Sequence, residues 1–211
     1  MAIINGTNNS ERLNGGAAAD TIRGFGGNDI ITGGLGNDFI DAGLGNDKAE
    51  GGGGDDTVRG GAGNDKVEGN SGNDFLYGDA GADKLEGGTG NDRVDGGAGN
   101  DDVNGDAGAD RLFGGGGNDR LEGGTGNDVM FGGSGSDVFL FEHGDDRDAV
   151  RDFADGFDRV DLTDFNFTNA NAAKVFATQV GANVVFDFGG GDVLTINNIL
   201  MAQLTNVDFI L

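Results

Sequence analysis

Along this chain one apolar residue recurs every nine positions, from Ile4 through Leu13, Ile22, Ile31, Ile40, Ala49, Val58, Val67, Leu76, Leu85, Val94, Val103, Leu112, Leu121 and Met130 to Phe139. Polar residues usually flank it, as in Lys66-Val67-Glu68, so each triplet alternates with the period of a strand that buries one face. Between the triplets lie six residues rich in glycine and ending in aspartate. The resulting unit, Gly-Gly-x-Gly-x-Asp-x-U-x with U apolar, is repeated fifteen times from Gly6 to Leu140 without insertion or deletion. GGLGNDFID at 33–41, GGAGNDKVE at 60–68 and GGTGNDRVD at 87–95 are clear copies. A fixed period of this kind marks a solenoid. Glycines at positions one, two and four allow a tight six-residue turn, which leaves the triplet as a short strand. Two repeats, eighteen residues, then make one coil, and strand n lies beside strand n+2. The pattern predicts an all-β fold over residues 1–140: a right-handed parallel β-roll of two sheets, about seven coils long.

After Leu140 the register breaks. The segments SDVFLF, DAVRDFADGFDRVDL, NVVFDFGGGDVLTI and VDFIL read as strands, with turns at Gly156 and Gly189 to Gly191, and LMAQL reads as one helical turn. An open roll end exposes unpaired strand edges, so residues 141–211 are expected to form a β-rich C-terminal cap.

Composition narrows the picture. The chain has 46 Gly, no Pro and no Cys, which excludes disulfides and a large conventional core. Its net charge of −24 repels nucleic acid and anionic membrane and attracts cations. No apolar run is long enough to span a membrane, and the start, MAIINGTNN, does not read as a secretory signal. An acidic, glycine-rich composition alone would also describe a disordered linker, but two positions held in phase over fifteen repeats do not.

The second phased position carries the chemistry. Position six is Asp20, Asp29, Asp38, Asp47, Asp56, Asp65, Asp74, Asp83, Asp92, Asp101, Asp110, Asp119, Asp128 and Asp137, with Glu11 in the opening copy. One buried U side chain per nine residues is too little apolar burial to offset the ordering of nine backbone residues. Stacked carboxylates beside glycine carbonyls offer hard oxygen ligands in a flexible loop, which suit Ca2+ better than Mg2+. Pairing the fourteen aspartate turns eighteen residues apart makes twelve sites, and twelve divalent ions would offset the charge of −24. The expectation is roughly ten to twelve Ca2+ ions and folding coupled to their binding.

The GGxGxDxUx array resembles the RTX, or hemolysin-type, calcium-binding repeats, which form parallel β-rolls in proteins exported by Gram-negative bacteria. The resemblance covers about two thirds of the chain. It implies that one turn supplies carbonyls two and four plus its Asp, and that the turn eighteen residues on supplies carbonyls one and three plus its Asp. Gly34, Gly36 and Asp38 would share an ion with Gly51, Gly53 and Asp56; Gly43, Gly45 and Asp47 would pair with Gly60, Ala62 and Asp65. Continued along the array, carbonyls at position one come from Gly69, Gly78, Gly87, Gly96, Gly105, Gly114, Gly123 and Gly132, and at position two from Gly52, Gly61, Gly88, Gly97 and Gly115. Position three contributes Ser71, Ala80, Thr89, Ala98, Ala107, Gly116, Thr125 and Ser134; position four contributes Gly54, Gly63, Gly72, Gly81, Gly90, Gly99, Gly108 and Gly117. Phe25, Asn70, Asp79 and Asp106 depart from glycine at position two, and Ala42 at position one. The resemblance extends to the tail, whose last residues, Asp208-Phe209-Ile210-Leu211, are similar to the signal of type I secretion substrates. It implies a secreted, extracellular protein.

The outward strand positions differ between the two sheets. On the odd-numbered repeats Lys48, Lys66 and Lys84 align with Glu50, Glu68 and Glu86, a solvated ion-pair ladder. On the even-numbered repeats Phe39, Phe75, Tyr77, Phe113, Val129 and Phe131 point outward. The C-terminal segment is expected to fold back over Phe113, Val129 and Phe131; Phe39, Phe75 and Tyr77 are left as candidates for a polysaccharide or self-association. Asn fills position five in nine copies, read as turn chemistry or, alternatively, as an ordered polar face.

No catalytic constellation is expected. His143 is the only histidine, no Cys is available as a nucleophile, and no Ser sits in a Gly-x-Ser-x-Gly elbow. The leading expectation is therefore a calcium-binding roll with a structural, matrix or surface role. The alternative is a carbohydrate-binding or adhesive module, including one cut from a larger secreted enzyme.

Overall fold

A computed structural model describes residues 1–211. Two sheets form, one of twelve strands and one of ten. Even-numbered repeats build the first, through Thr21–Arg23, Phe39–Leu44, Thr57–Ala62 and so on to Val129–Ser134. Odd-numbered repeats build the second, from Arg12–Asn14 and Ile30–Leu35 to Val138–Leu140. Pairing is parallel at an offset of eighteen residues, with Ile22 opposite Ile40 and Ile40 opposite Val58. The leader joins in the same phase, since Ile4 pairs with Ile22. The U residues from Ile22 to Phe139 stack between the sheets and are buried at 0 or 1 % exposure.

Most strands are twice as long as the triplet reading expects. Phe39–Leu44 and its neighbours run six residues, through positions seven to nine and on into positions one to three of the next repeat. Ladder pairing omits position one, passing from Asp41 and Arg59 directly to Gly43 and Gly61. The chain bends there, and position two takes a left-handed conformation that lets the backbone rejoin the ladder. Phe25, Asn70, Asp79 and Asp106 hold that conformation without being glycine, at φ of 71°, 74°, 70° and 67°.

The ion-pair ladder is present. Lys48, Lys66 and Lys84 each bridge a Glu on their own strand and an acid on the next, and Arg120 with Asp102 and Glu122 continues the row. The asparagines do something other than local turn chemistry. Their side-chain oxygens accept backbone N–H groups eighteen residues on, as Asn28 does from Asn46 at 3.0 Å and Asn46 from Asn64 at 2.9 Å. They form a ladder between coils.

The tail prolongs the roll instead of folding back over it. Arg147–Val150 and Asp192–Ile196 add parallel strands to the even sheet, and Arg159–Asp161 and Phe209–Ile210 add them to the odd sheet. Each sheet thus holds ten successive parallel strands, beyond the seven or so coils expected. Asn183–Gly189 and Ala177–Val180 then close the even sheet as antiparallel strands. At this end the roll widens into an aromatic core around Phe141, Phe165, Phe186 and Phe188. LMAQL is a turn, and the only α-helix is Ala170–Lys174, capped by Asn169. No helix is long and apolar enough to cross a membrane.

Close packing of coils restricts position four, which is glycine in every repeat from Gly27 to Gly135. A Cβ on Gly54, at φ +122°, would lie 2.5 Å from the Gly36 carbonyl oxygen, whereas one on Gly53 would meet only side chains, Leu35 at 3.1 Å and Ser71 at 3.5 Å. Gly54→Ala is therefore expected to lower stability in millimolar Ca2+ by more than about 2 kcal/mol, and Gly53→Ala by less than about 0.5 kcal/mol. Thermal unfolding of the two variants checks this; equal losses would refute the packing argument.

Candidate metal centres

Each position-six aspartate ends a turn and is buried beside the inner face of the roll, Asp29 to Asp137 all being at most 4 % exposed. Its two oxygens have different surroundings. Oδ1 accepts the backbone N–H of the aspartate one coil earlier: Asp20 donates to Asp38 at 2.7 Å, Asp56 to Asp74 at 2.7 Å and Asp92 to Asp110 at 2.7 Å. Oδ2 accepts nothing. From Asp29 to Asp137 thirteen consecutive aspartates bury this oxygen without a hydrogen-bond partner, and Asp148 adds a fourteenth.

Bare, buried carboxylate oxygens are costly unless a cation or donor meets them. The surroundings are rich in further oxygens and hold no donor for Oδ2. A Cβ on Gly33 would lie 2.5 Å from both Asp38 Oδ2 and the Gly51 carbonyl oxygen, so the carboxylate of one turn and a position-one carbonyl of the next coil converge beside the same glycine. Gly69 shows the same pair, Asp74 Oδ2 and the Gly87 carbonyl, each at 2.5 Å. The position-four carbonyls from Gly36 to Gly117 accept no hydrogen bond. Carbonyls at positions two and three are engaged in the ladder: Phe25 accepts from Leu44 at 2.8 Å and Gly53 from Gly36 at 2.6 Å. A carbonyl oxygen has two lone pairs, so engagement leaves one for a cation. No three acidic or histidine side chains gather at one point, so any cation here takes backbone carbonyls as part of its shell. An all-oxygen set of this type fits Ca2+.

Asp20 departs from the expected set. Its Oδ2 accepts the Gly16 N–H at 3.0 Å and its Oδ1 the Ala2 N–H at 2.5 Å, so both oxygens are satisfied. The opening turn closes on protein donors because Glu11, in place of Asp, reaches back to the Thr7 backbone and hydroxyl.

The aspartate column also extends past the nonapeptides. Asp148 Oδ1 accepts the Asp128 N–H at 2.9 Å, and Asp158 Oδ1 accepts the Asp137 N–H at 3.0 Å. A strict nine-residue register loses both, because the steps are 20 and 21 residues in place of 18. The signal was nevertheless present: Asp148-Ala149-Val150 and Asp158-Arg159-Val160 keep the Asp-x-U grouping of every repeat.

Electrostatics match the geometry. Burial, the leading cause, pushes Asp56, Asp65 and Asp119 up to about 6 and Asp74, Asp83 and Asp110 to about 7; the N–H of the preceding coil pulls the other way, and neighbouring aspartates add to the rise. Burial likewise raises Asp128 and Asp148, and it pushes Asp145 up to about 7. The folded metal-free roll therefore holds protons that the unfolded chain has released.

The sign follows directly. A carboxylate raised in the folded state favours folding fully below its unfolded value, and that contribution is lost as pH rises through the folded value. Without metal, the fold should gain strand content as pH is lowered from about 7.5 to about 5. Far-ultraviolet circular dichroism in chelator checks this; strand content that falls over the same range would contradict it.

The family described as RTX calcium-binding nonapeptide repeat (4 copies) matches residues 5–40, 41–76, 77–112, 104–139 and 113–147. Among solved structures the chain is similar to the AlgE6R3 subunit of the Azotobacter vinelandii mannuronan C5-epimerase, at 25% identity and a TM-score of 0.36 over 62% of this chain and 78% of that one. It is also similar to the extracellular lipase LipA of Serratia marcescens, at 16% identity and a TM-score of 0.28 over 98% of this chain. The match spans 39% of the lipase. A search among curated proteins finds no match.

Proposed function

The chain belongs to the RTX calcium-binding nonapeptide repeat family, and on that premise we propose that it is a secreted β-roll, without catalytic activity of its own, that folds when it meets extracellular Ca2+ and serves a structural, matrix or surface role. The observation that carries this reading is the run of buried aspartate oxygens without partners, from Asp29 onward. Such a roll is incomplete as a protein alone. It becomes complete when a divalent cation enters between its turns.

Export through a type I route belongs to the same proposal. Asp208 is fully buried, accepts the backbone N–H and hydroxyl of Thr205, and also accepts the Gly156 N–H at 3.1 Å. Phe209 and Ile210 pair with Val160 and Asp161 at the end of the odd sheet. In the folded chain the terminal residues are thus built into the roll. An export apparatus that reads them would need the unfolded state, which low cytosolic Ca2+ maintains and millimolar external Ca2+ ends.

A second reading has its own observation. On the outer face of the even sheet Arg59 lies over Tyr77 at 4.7 Å, Arg93 over Phe113 at 4.4 Å, and Phe113 stacks on Phe131 at 5.1 Å. The tail adds strands beyond this face, on which Phe75 is 47 % exposed and Tyr77, Phe113 and Phe131 are half-buried. A flat face of rings and guanidinium groups suits the apolar faces and hydroxyls of a polysaccharide, or a second copy of the roll.

Far-ultraviolet circular dichroism at neutral pH tests the leading reading. Strand signal is expected to appear in millimolar Ca2+, to collapse in chelator and to remain low in equal Mg2+; a spectrum indifferent to Ca2+ would overturn it.

A further inference from the structure

We propose that the column of cation sites runs one step past the last nonapeptide and takes a calcium ion between Asp128 and Asp148, so that the segment beginning at residue 141 docks on the roll only when that site is filled. This inference rests on the calcium reading above.

The two aspartates that follow the array are alike in position and different in surroundings. Asp158, 3 % exposed, has both oxygens occupied, Oδ1 by the Asp137 N–H at 3.0 Å and Oδ2 by the Ala154 N–H at 2.8 Å. Its local turn supplies the donor that a cation would otherwise replace. Asp148, 2 % exposed, has Oδ1 bonded to the Asp128 N–H, and its Oδ2 is buried with no partner. Asp128 one coil earlier has a bare Oδ2 as well. No Lys or Arg pairs with either carboxylate. One column of the roll is thus closed by protein at its end, and the other is left open to a cation.

The backbone around Asp148 reproduces the turn with two residues added. Phe141 donates to the Asp161 carbonyl at 3.1 Å, as Gly15 and Gly24 donate to Thr32 and Asp41, so Phe141 occupies position one of an eight-residue turn ending at Asp148. Within it Gly144 and Asp146 take positive φ, of 98° and 59°. One ligand differs from the regular sites. The Gly126 carbonyl, at position four, accepts the Arg147 N–H at a long 3.2 Å, which leaves its second lone pair available.

This place in the fold carries mechanical weight. Arg147–Val150 pairs with the last repeat strand of the even sheet on one side and with Asp192–Ile196 on the other, which in turn carries Asn183–Gly189. A cation shared by Asp128 and Asp148 joins the repeat array to that whole sheet end. Without it, two bare carboxylates face one junction and oppose its closure.

Calorimetric titration of the full chain with CaCl2, beside hydrogen exchange of the same samples, tests the proposal. Asp148→Asn is expected to bind one ion fewer than the wild type and to lose protection in Arg147–Val150 and Asp192–Ile196, with the repeats still protected. Asp158→Asn is expected to keep the wild-type ion count. Equal counts for Asp148→Asn and wild type would overturn the inference alone; absence of Ca2+ binding by the wild type would overturn the calcium reading with it. Should Asp148→Asn fail to fold, anomalous diffraction from wild-type crystals grown in Ca2+ decides the matter: a peak between Asp128 and Asp148 supports the site, and its absence beside filled repeat sites refutes it.

Discussion

Everything in this roll depends on a carboxylate that is half satisfied. Each aspartate gives one oxygen to the backbone N–H of the coil before it and buries the other with no partner, thirteen times in succession within the repeats. The bonded oxygen sets the spacing of the coils. The bare oxygen makes that spacing unfavourable unless something positive lies between turns. Apolar stacking of the U residues provides direction and register, but one such side chain per repeat offers little cohesion against the entropy of a glycine-rich chain. On the function proposed above, cation binding and folding are one process, coupled by burial of the carboxylates.

Most of the fold was legible because the period is strict. The apolar phase located the core from Ile22 to Phe139, and the nine-residue spacing located the n to n+2 pairing. Strand length was not legible, since continuation through positions two and three depends on left-handed backbone at position two, which Phe25 and Asn70 adopt as glycine does. The role of the asparagines was also hidden. A local reading sees a turn former, while the bond it makes is to a residue one coil away.

The tail shows how a register argument fails. Counting in nines stops at Leu140, although the physical repeat continues for further strands in each sheet. Two or three added residues per turn break the count and leave the geometry intact, because what the coil requires is an aspartate followed two residues later by an apolar side chain. Asp148 with Val150, and Asp158 with Val160, meet that requirement. Beyond them the aromatic core around Phe141, Phe165 and Phe188 supplies a cohesion that the repeats lack. The C-terminal end is therefore held by ring packing in addition to the aspartate column, whereas the repeats have the column and one apolar side chain each.

On this reading each buried carboxylate opposes the metal-free fold and supports the calcium-loaded one. Asp110→Asn isolates it, for the amide keeps an oxygen for the Asp92 N–H and places an N–H beside Gly105, where Asp110 Oδ2 and the Gly123 carbonyl converge at 2.5 and 2.6 Å from a Cβ position. Denaturant unfolding of this variant at neutral pH, in chelator and in millimolar Ca2+, is the most direct measurement. Opposite signs are expected: more stable than wild type without metal, less stable with it. A loss of stability in both conditions would mean that the aspartates hold the coils by themselves, and would contradict it.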